Sequence, residues 1–519
     1  MSWEPELQEL RRRQALTREM GGTERVQRQH DRGLLTVRER IDQLLDRGSF
    51  LELGSVSGQA SYDADGDLEN LTAANCVFGR GKIDGRTVVV TGDDFTIRGG
   101  SADAAIWAKF KMAENMAYEY RLPLIRLVEG SGGGGSVRTL ETTGRANLPG
   151  GVGTTSGMDL CVRNLGQVPV VAIGQGSVAG LGAARLVASH LSIMVKETAA
   201  VFVAGPPVVE RLGEKRTKQE LGGHAVQTKA GTIDLAVDSE EAAFEAARRF
   251  LSYLPGSVWE LPPRGRIPDD TDRRDEFLLS VVPRDTRQPY RMRPIIEAVT
   301  DGESFFELGR NFGGSLITGL ARMNGWPVAI MAGDPFRYGG AWTAASSQKL
   351  ARFVDLAETF HLPVIHLADC PGFQVGLDAE AGGVMRHAVR AITAINQCTV
   401  PWCSILVRNI FGVGGGAHQP AGRLSLRYAW PSGRWGSLPL EGGVAAAYSR
   451  EISEAQDPAA ETKKIEARLA RLRSPFRTAE SFLVEEIIDP RDTRRLLCDF
   501  ADLAAPLRTP GRVSYAARF

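Results

Sequence analysis

The apolar and polar positions of this chain switch between two spacings, in the same order in each half. In the first half, a β-rich run at 88–90 leads to a Gly-Gly pair, which is followed by apolar residues at Ile106, Phe110, Ala113 and Ala117. Residues three or four positions apart lie on one face of a helix, so this stretch predicts an amphipathic helix.

The second half repeats this order. A β-rich run at 328–330 leads to another Gly-Gly pair and then to apolar residues at Leu350, Phe353, Val354, Ala357 and Phe360. In both halves a short apolar run follows, LPLIRLV or LPVIHLA, whose length fits a buried strand. Strand, helix and strand with a crossover of this length predict parallel pairing and an α/β layered fold in each half.

Three segments of the first half recur in order in the second. They pair GSFLELG (48–54) with ESFFELG (303–309), KIDGRTVVVTGDDFTIRGG (82–100) with RMNGWPVAIMAGDPFRYGG (322–340), and RLPLIRLVEG (121–130) with HLPVIHLADC (361–370). The kept order indicates a duplicated domain. The sequence therefore predicts two domains, 1–262 and 263–519, and an exposed, proline-rich and charged connection at 261–294.

Two helices have recognisable ends. Thr36 and Glu39 form a capping box at the start of one, with Gly48 placed to stop it. A charged helix is predicted near 457–473, ended by Pro475.

Charge and motif content exclude several classes of function. The chain has 62 basic and 62 acidic residues, so no basic field indicates nucleic acid or an anionic membrane surface. No run approaches the ~18 apolar residues of a membrane span, which predicts a soluble, cytoplasmic protein. The six cysteines form no CxxC pair and the seven histidines no HExxH motif, so neither a metal site nor a disulfide framework is expected.

Glycine-rich loops follow the predicted strands in both halves. The first half has EGSGGGGS (129–136) and SVAGLGAAR (177–185), and the second half has DCPGF (369–373) and IFGVGGGAH (410–418). A glycine turn between a strand and a helix aims unpaired backbone N–H groups at one point, with the positive end of the helix dipole behind them. Such a loop predicts an oxyanion hole, in which each donor is worth about 2.7–4 kcal/mol.

Other readings of these loops stay open at this point. The glycines could serve close packing alone. A dinucleotide fingerprint fits poorly, because 174–176 lacks the third glycine and 412–417 is not followed by an acidic residue at the required distance. His224 and His387 are interpreted as structural, whereas His418, beside the second loop, could be structural or catalytic.

Several blocks in order resemble the β subunits of acyl-CoA carboxylases, the family of propionyl-, acetyl- and methylcrotonyl-CoA carboxylases, over nearly the whole chain. They include RGLLTVRERIDQLLDRGSFLELG (32–54), GDDFTIRGGS (92–101), VFVAGPPVV (201–209), PYRMRPII (289–296), KLARFVDLAETFHLPVIHLADCPGF (349–373) and EEIIDPRDTRRLL (485–497). The resemblance implies two tandem crotonase-like domains of β-β-α superhelix type and a homo-hexamer, a trimer of dimers. It also implies an active site between the first domain of one subunit and the second domain of another.

The resemblance further implies the ligands. Acyl-CoA binds mainly the first domain, and carboxybiotin, carried by a separate α subunit that also has the biotin carboxylase, enters against the second. Released CO2 leaves a ureido anion that removes the α-proton of the thioester, and the enolate recaptures CO2. The chain itself has neither an AMKM-like biotinylation motif nor an ATP site.

The family's functional positions fall on the glycine loops. The oxyanion pair for the acyl thioester is carried over to Gly180 and Leu181, and the pair for the biotin ureido oxygen to Val413 and Gly414. The substrate-binding positions carried over are Ser131, Gly132, Gly133, Gly134, Gly372, Phe373, Gly415 and Gly416.

Departures from the family pattern bear on the substrate. The usual Gly-Gly-Ala-Tyr-Asp or -Ile run is here 412–416, so two bulky positions are glycine and a wider acyl pocket is expected. The first-domain loop of the family often reads Ser-Gly-Gly-Ala-Arg. Here residues 131–135 contain no arginine, and the next one along the chain is Arg138. Two alternatives to an acyl-CoA carboxylase therefore remain: a biotin-dependent decarboxylase or transcarboxylase subunit, and a non-catalytic CoA-binding paralogue.

Overall fold

The chain forms two compact units. The structure, a computed structural model, describes residues 2–101, 106–131, 140–141, 144–146, 158–266 and 270–513. The first unit comprises Met1–Glu260 and the second Leu261–Phe519. The division falls in the loop where the sequence places its domain boundary, after residue 262.

The first unit is built on a mixed sheet. Its strands are β1 (Leu51–Leu53), β2 (Gly58–Tyr62), β3 (Leu68–Ala73), β4 (Cys76–Ile83), β5 (Arg86–Asp93), β6 (Leu124–Gly130), β7 (Val170–Ala179), β8 (Leu191–Val195), β9 (Ala200–Phe202) and β10 (Leu235–Val237). The sheet order is β1-β4-β5-β6-β7-β8-β10, with β9 also pairing with β7, while β2 and β3 form a separate hairpin. β1, β4 and β5 pair antiparallel, and β5 through β10 pair parallel.

Helices cover and flank this sheet. The described ones are Glu4–Arg18, Thr23–His30, Val37–Leu44, Trp107–Tyr120, Met158–Leu165, Leu181–Val187, Pro206–Glu210, Lys218–Gly222, His224–Gln227 and Glu240–Ser252. The capping box of Thr36 and Glu39 is present. Gly48 does not stop that helix, however, because the helix ends at Leu44 and the buried Leu45 is already extended, with its side chain against Gly81.

The second unit repeats the topology. Its strands are β11 (Phe306–Leu308), β12 (Leu316–Met323), β13 (Trp326–Gly333), β14 (Val364–Cys370), β15 (Trp402–Phe411), β16 (Leu426–Ala429), β17 (Arg434–Gly436) and β18 (Glu486–Ile487). The sheet order is β11-β12-β13-β14-β15-β16-β18, with β17 also pairing with β15. As in the first unit, antiparallel pairing changes to parallel pairing along the sheet, here at β13. The predicted duplication and parallel α/β crossovers are therefore confirmed.

Helices also connect and flank the strands of the second unit. They are Arg293–Val299, Ala344–Thr359, Leu377–Ala381, Val384–Gln397, Gly412–Gly416, Leu440–Ala447, Ser449–Glu454, Pro458–Leu472, Pro475–Glu480 and Thr493–Ala504. The charged helix predicted near 457–473 is present as Pro458–Leu472. Pro475 begins the next helix, where a proline at the first position leaves no N–H unsatisfied.

The stretch 261–294 is more than the exposed connection that its prolines and charges predict. Leu278, Tyr290 and Met292 are buried in the core of the second unit. Composition missed this because three isolated side chains do not form a periodic pattern.

Candidate functional site

The first glycine helix, Leu181–Val187, starts where β7 ends. Gly180 links the two with φ 57° and ψ −121°, a conformation that only glycine adopts easily. The Gly180 N–H donates to the carbonyl oxygens of Phe202 (3.3 Å) and Val203 (3.2 Å), so Gly180 is not the free donor that the sequence predicts. The Leu181 N–H has no hydrogen-bond partner among the described residues. Gly180 shapes the turn, and Leu181 offers the donor.

Ser131 lies beside the same helix. Its carbonyl oxygen accepts the Gly182 N–H at 2.9 Å, and its hydroxyl donates to the Gly100 carbonyl oxygen at 3.1 Å. The other three predicted residues of this loop, Gly132, Gly133 and Gly134, lie outside the described residues.

A fully buried arginine holds the far end of the first glycine helix. Arg126 on β6 donates to the carbonyl oxygens of Arg185 (3.1 Å) and Ala188 (2.6 Å). Its other nitrogens form a bidentate pair with Glu114 at 2.8 and 2.9 Å. The cation therefore satisfies the last carbonyls of the helix and lies at the negative end of its dipole.

A buried network of polar and charged side chains holds Glu129, near the end of β6. Arg40 donates to Glu129 at 2.5 Å and to Glu240 at 2.8 and 2.9 Å, and all three side chains are buried. Gln29 donates to Glu129 as well, at 3.2 and 3.3 Å. Burial raises the pKa of Glu240, and Arg40 opposes the rise. Because Glu129 directly precedes Gly130 on β6, this network fixes the start of the glycine loop.

The second glycine helix, Gly412–Gly416, follows β15 in the same way. Gly412 has φ 61°, close to the value at Gly180. Within the part of the chain that the structure describes, the N–H groups of Val413 and Gly414 have no hydrogen-bond partner. Val413 is also 67% exposed, so a ligand can reach this end of the helix.

The predicted substrate-binding residues of the second unit lie together. The Gly372 carbonyl oxygen accepts the Trp342 N–H at 3.0 Å, and the Phe373 ring stacks on Trp342 with centroids 6.0 Å apart. A Cβ added to Gly414 would lie 3.0 Å from the Phe373 ring. The structure therefore brings 372–373 against the second glycine helix.

The remaining two glycines differ in the space around them. A Cβ at Gly415 would lie 2.6 Å from the Ile410 backbone, which requires glycine there. A Cβ at Gly416 would meet nothing within 4 Å.

A buried carboxylate precedes the second loop, and sequence reasoning missed its partners. Asp369, at the end of β14, accepts hydrogen bonds from the Tyr290 hydroxyl (2.7 Å), the Arg408 guanidinium (3.1 Å) and the Asn409 N–H (3.0 Å). Burial raises the pKa of Asp369, and Arg408 opposes the rise. The repeat aligns Asp369 with Glu129, and that match was the available signal for a buried acid before each loop.

His418 lies two residues after the end of the second glycine helix. Its ring Nδ1 lies 2.8 Å from the Gly415 carbonyl oxygen, so Nδ1–H donates to it. The His418 carbonyl oxygen in turn accepts from the Nδ1–H of His366 on β14, at 2.9 Å. Burial lowers the pKa of His418, and it lowers the pKa of His366 to about 4.

Acidification is expected to destabilise the second unit through His366. A folded-state pKa near 4, below the ordinary 6.5, means that this stability is present above pH ~6.5 and is lost as the pH falls toward 4. Between about pH 7.5 and pH 5 the loss is about 2 kcal/mol. His366→Asn keeps a donor near the Nδ1 position and does not titrate, so denaturant unfolding should show a flatter pH dependence for this variant. If the variant and the wild type showed the same dependence of unfolding free energy on pH, His366 would not be the source of the expected acid sensitivity.

Among the described residues, no group of three or more His, Cys, Asp or Glu side chains could hold a metal ion. No helix in the described ranges is both long enough and apolar enough to cross a bilayer.

Comparison with known proteins identifies the family. Residues 28–509 match the family described as the carboxyl transferase domain. The propionyl-CoA carboxylase carboxyltransferase subunit of Haloferax mediterranei is 32% identical over 511 residues, covering 96% of each chain. The mitochondrial propionyl-CoA carboxylase β chain of Homo sapiens is 33% identical over 498 residues, covering 93% of this chain and 88% of that one. The chain therefore belongs to the carboxyl transferase domain family, as its sequence blocks predict.

Solved structures agree with this assignment. A transcarboxylase 12S structure, a hexamer with methylmalonyl-CoA and methylmalonic acid bound, superposes with a TM-score of 0.88 at 28% identity, covering 100% of this chain and 98% of that one. A single-chain long-chain acyl-CoA carboxylase gives a TM-score of 0.79 at 28% identity, covering 95% of this chain and 50% of that one. The prediction of two crotonase-like α/β domains is confirmed.

Proposed function

We propose that this chain is the carboxyltransferase subunit of a biotin-dependent acyl-CoA carboxylase, with acyl-CoA bound by the first unit and carboxybiotin by the second. The observation that carries the proposal is the duplicated glycine helix. Each copy follows a central parallel strand and has a glycine with positive φ at its start. The first copy offers the Leu181 N–H, and the second offers the Val413 and Gly414 N–H groups, without a partner among the described residues. Ligands of α/β folds bind at this end of the strands.

In the first unit, we assign to the Leu181 N–H the role of donor to the oxygen of an acyl thioester. That oxygen gains charge when the α-proton leaves, so the donor binds the transition state more tightly than the ground state. The positive end of the helix dipole adds to this stabilisation. Arg126 and Arg185 keep the helix in place, the latter through Asp93 at 3.4 Å.

In the second unit, we assign to the N–H groups of Val413 and Gly414 the role of donors to the ureido oxygen of biotin. Two adjacent donors without a described partner at an accessible helix start fit an oxygen that becomes anionic. Bound carboxybiotin supplies both CO2 and the base that removes the α-proton. The chain then needs only to orient the two ligands and exclude water. Removal of the α-proton requires no acidic or basic side chain of the protein.

The relatives support the remaining parts of the proposal. They include propionyl-CoA carboxylase β chains and an acetyl-/propionyl-CoA carboxylase β5 subunit of Mycobacterium tuberculosis. On this basis we assign to this chain a partner α subunit that carries biotin carboxylase and biotin. The hexameric transcarboxylase 12S structure supports a hexameric assembly, and a cytoplasmic location stays a prediction from the sequence.

A wide acyl pocket is part of the proposal, and Gly416 tests it. Gly416→Asp and Gly416→Ile place a side chain in open space, so both variants should fold normally. We expect kcat/KM for the bulkiest acyl-CoA to fall about tenfold, which corresponds to about 1.4 kcal/mol, and the range of accepted acyl chains to become narrower. Gly422→Asp is the matched control, because its Cβ also meets nothing within 4 Å. Unchanged selectivity in the Gly416 variants would remove this residue from the pocket.

A transcarboxylase subunit is the second candidate, because the transcarboxylase 12S structure aligns over the whole chain. The two candidates share the site and differ in the partner that supplies the carboxyl group.

Fixation of labelled bicarbonate tests the proposed function. The chain is combined with its biotinylated, ATP-dependent partner and assayed with acetyl-, propionyl- and longer acyl-CoAs. ATP-dependent label in the acyl-CoA is the expected result. Transfer that needs no ATP but requires a carboxylated donor would favour the transcarboxylase, and no transfer under either condition would contradict both.

A further inference from the structure

The second glycine helix contains almost no residues that favour a helical backbone. Four of its five residues are glycine, and glycine is among the poorest helix formers. The first glycine helix, in contrast, contains Ala183, Ala184 and Leu186, and Leu186 is fully buried in an apolar cluster. The two halves must therefore hold their donor helices by different means.

In the second unit the means is a group of hydrogen bonds that meet at His418. The His418 carbonyl oxygen accepts from the Trp402 ring N–H (3.0 Å) and the Ser404 hydroxyl (2.8 Å), in addition to His366. The His418 side chain and its backbone N–H both donate to the Gly415 carbonyl oxygen, at 2.8 and 3.2 Å.

The strands explain how these donors converge. Trp402 and Ser404 are two residues apart on β15 and so lie on one face of the sheet. His366 pairs with Ser404 in the parallel register of β14 and β15, and its ring meets the Trp402 ring edge-on with centroids 6.4 Å apart. These three side chains and that of His418 are all buried, so water does not compete for their hydrogen bonds.

The first unit has an apolar set at the equivalent positions. The repeat aligns Trp402 with Val170, Ser404 with Ala172 and His418 with Leu186, all of them buried apolar residues. His366 aligns with Arg126, which also binds carbonyl oxygens at the end of its glycine helix. A side chain that binds carbonyl oxygens near the glycine helix therefore occurs at the same position in both halves. The other three positions are apolar in the first unit and form hydrogen bonds in the second unit, where the helix is glycine-rich.

We propose that His418, held by His366, Trp402 and Ser404, is a positioning residue that keeps the second glycine helix formed and its Val413 and Gly414 N–H groups aimed at the biotin-side ligand. The role in catalysis rests on the proposed function. His418 acts through the Gly415 carbonyl oxygen and is not itself assigned contact with a ligand.

Two substitutions of His418 separate its ring nitrogens. His418→Asn places an amide N–H close to the position of Nδ1 and keeps the bond to Gly415. His418→Gln places its amide near Nε2, a buried atom that has no partner in the structure, and loses that bond. Ser404→Ala removes one donor to His418. Its control is Ser304→Ala, which removes a partly buried serine hydroxyl of the second unit that donates to the Asp301 carbonyl oxygen.

Carboxyl transfer from methylmalonyl-CoA to free biotin measures the effect on each ligand. His418→Gln is expected to lower kcat/KM for biotin about tenfold while KM for methylmalonyl-CoA stays within about twofold, and His418→Asn is expected to stay near wild type. Hydrogen exchange of the Ala417 amide, which donates to the Val413 and Gly414 carbonyl oxygens at the end of the helix, should rise in His418→Gln and Ser404→Ala but not in His418→Asn or Ser304→Ala.

The outcomes separate the two proposals. Equal behaviour of the Asn and Gln variants in an active enzyme overturns the positioning role, and so does a loss that affects both substrates alike. Loss in His418→Asn alone overturns it too and assigns the function to Nε2. A wild-type chain that transfers no carboxyl group from methylmalonyl-CoA and also fixes no bicarbonate on any acyl-CoA of the test above overturns the proposed function and with it the catalytic role of His418.

Discussion

Replacing Gly180 or Gly412 by valine is expected to lower kcat about 10²–10³-fold, the largest effect on activity in this chain. Both glycines have φ near +60°, where a β-branched residue is strained by about 1–3 kcal/mol. The strain is relieved if the turn rotates, and rotation moves the Leu181 or Val413 N–H away from the ligand. Losing one such donor costs about 2.7–4 kcal/mol of transition-state stabilisation.

The two variants should differ in which substrate they affect. Gly180→Val changes the side assigned to acyl-CoA, and Gly412→Val changes the side assigned to biotin, as steady-state kinetics with each ligand varied in turn can show. Gly205→Val is the control, because Gly205 also precedes a helix but has an extended backbone (φ −71°) and room for a Cβ. Near-normal activity in the Gly180 and Gly412 variants would show that these turns do not position the donors.

Arg40→Met is expected to have the largest effect on stability, a loss of about 3–5 kcal/mol in the free energy of unfolding. The substitution leaves the buried carboxylates of Glu129 and Glu240 without their cation. Combining it with Glu129→Gln removes one of the two stranded charges and should recover part of the loss.

Arg450→Met is the matched control for this experiment. Arg450 pairs with Glu454 on an exposed helix, where an ion pair contributes at most about 1 kcal/mol. Denaturant unfolding of both variants gives the comparison. A loss in Arg40→Met no larger than in Arg450→Met would mean that the buried network does not stabilise the first unit.

The elements that the sequence predicts well are those with local or repeated signals. The strands, the crossover helices and the capping box at Thr36 depend on spacing within a few residues. The duplication placed Gly180 and Gly412 as equivalent turns, and in the structure both glycines have a φ near +60°.

What the sequence misses depends on contacts between distant residues. Arg40 and Glu240 are 200 positions apart, and Tyr290 and Asp369 are 79 apart, so no local pattern links them. The expectation of a free N–H at Gly180 was wrong for the same reason, because its acceptors lie on and after β9. Turn chemistry predicts a backbone conformation, but only the fold shows which N–H groups are already paired.

Infrared difference spectroscopy of a bound acyl-CoA carrying a ¹³C-labelled thioester carbonyl tests the central claim most directly. A main-chain donor at Leu181 polarises that carbonyl, so its stretching band should shift to lower wavenumber in the wild type and return toward the solution value in Gly180→Val. An unshifted band in the wild type, or an equal shift in the variant, would contradict the account.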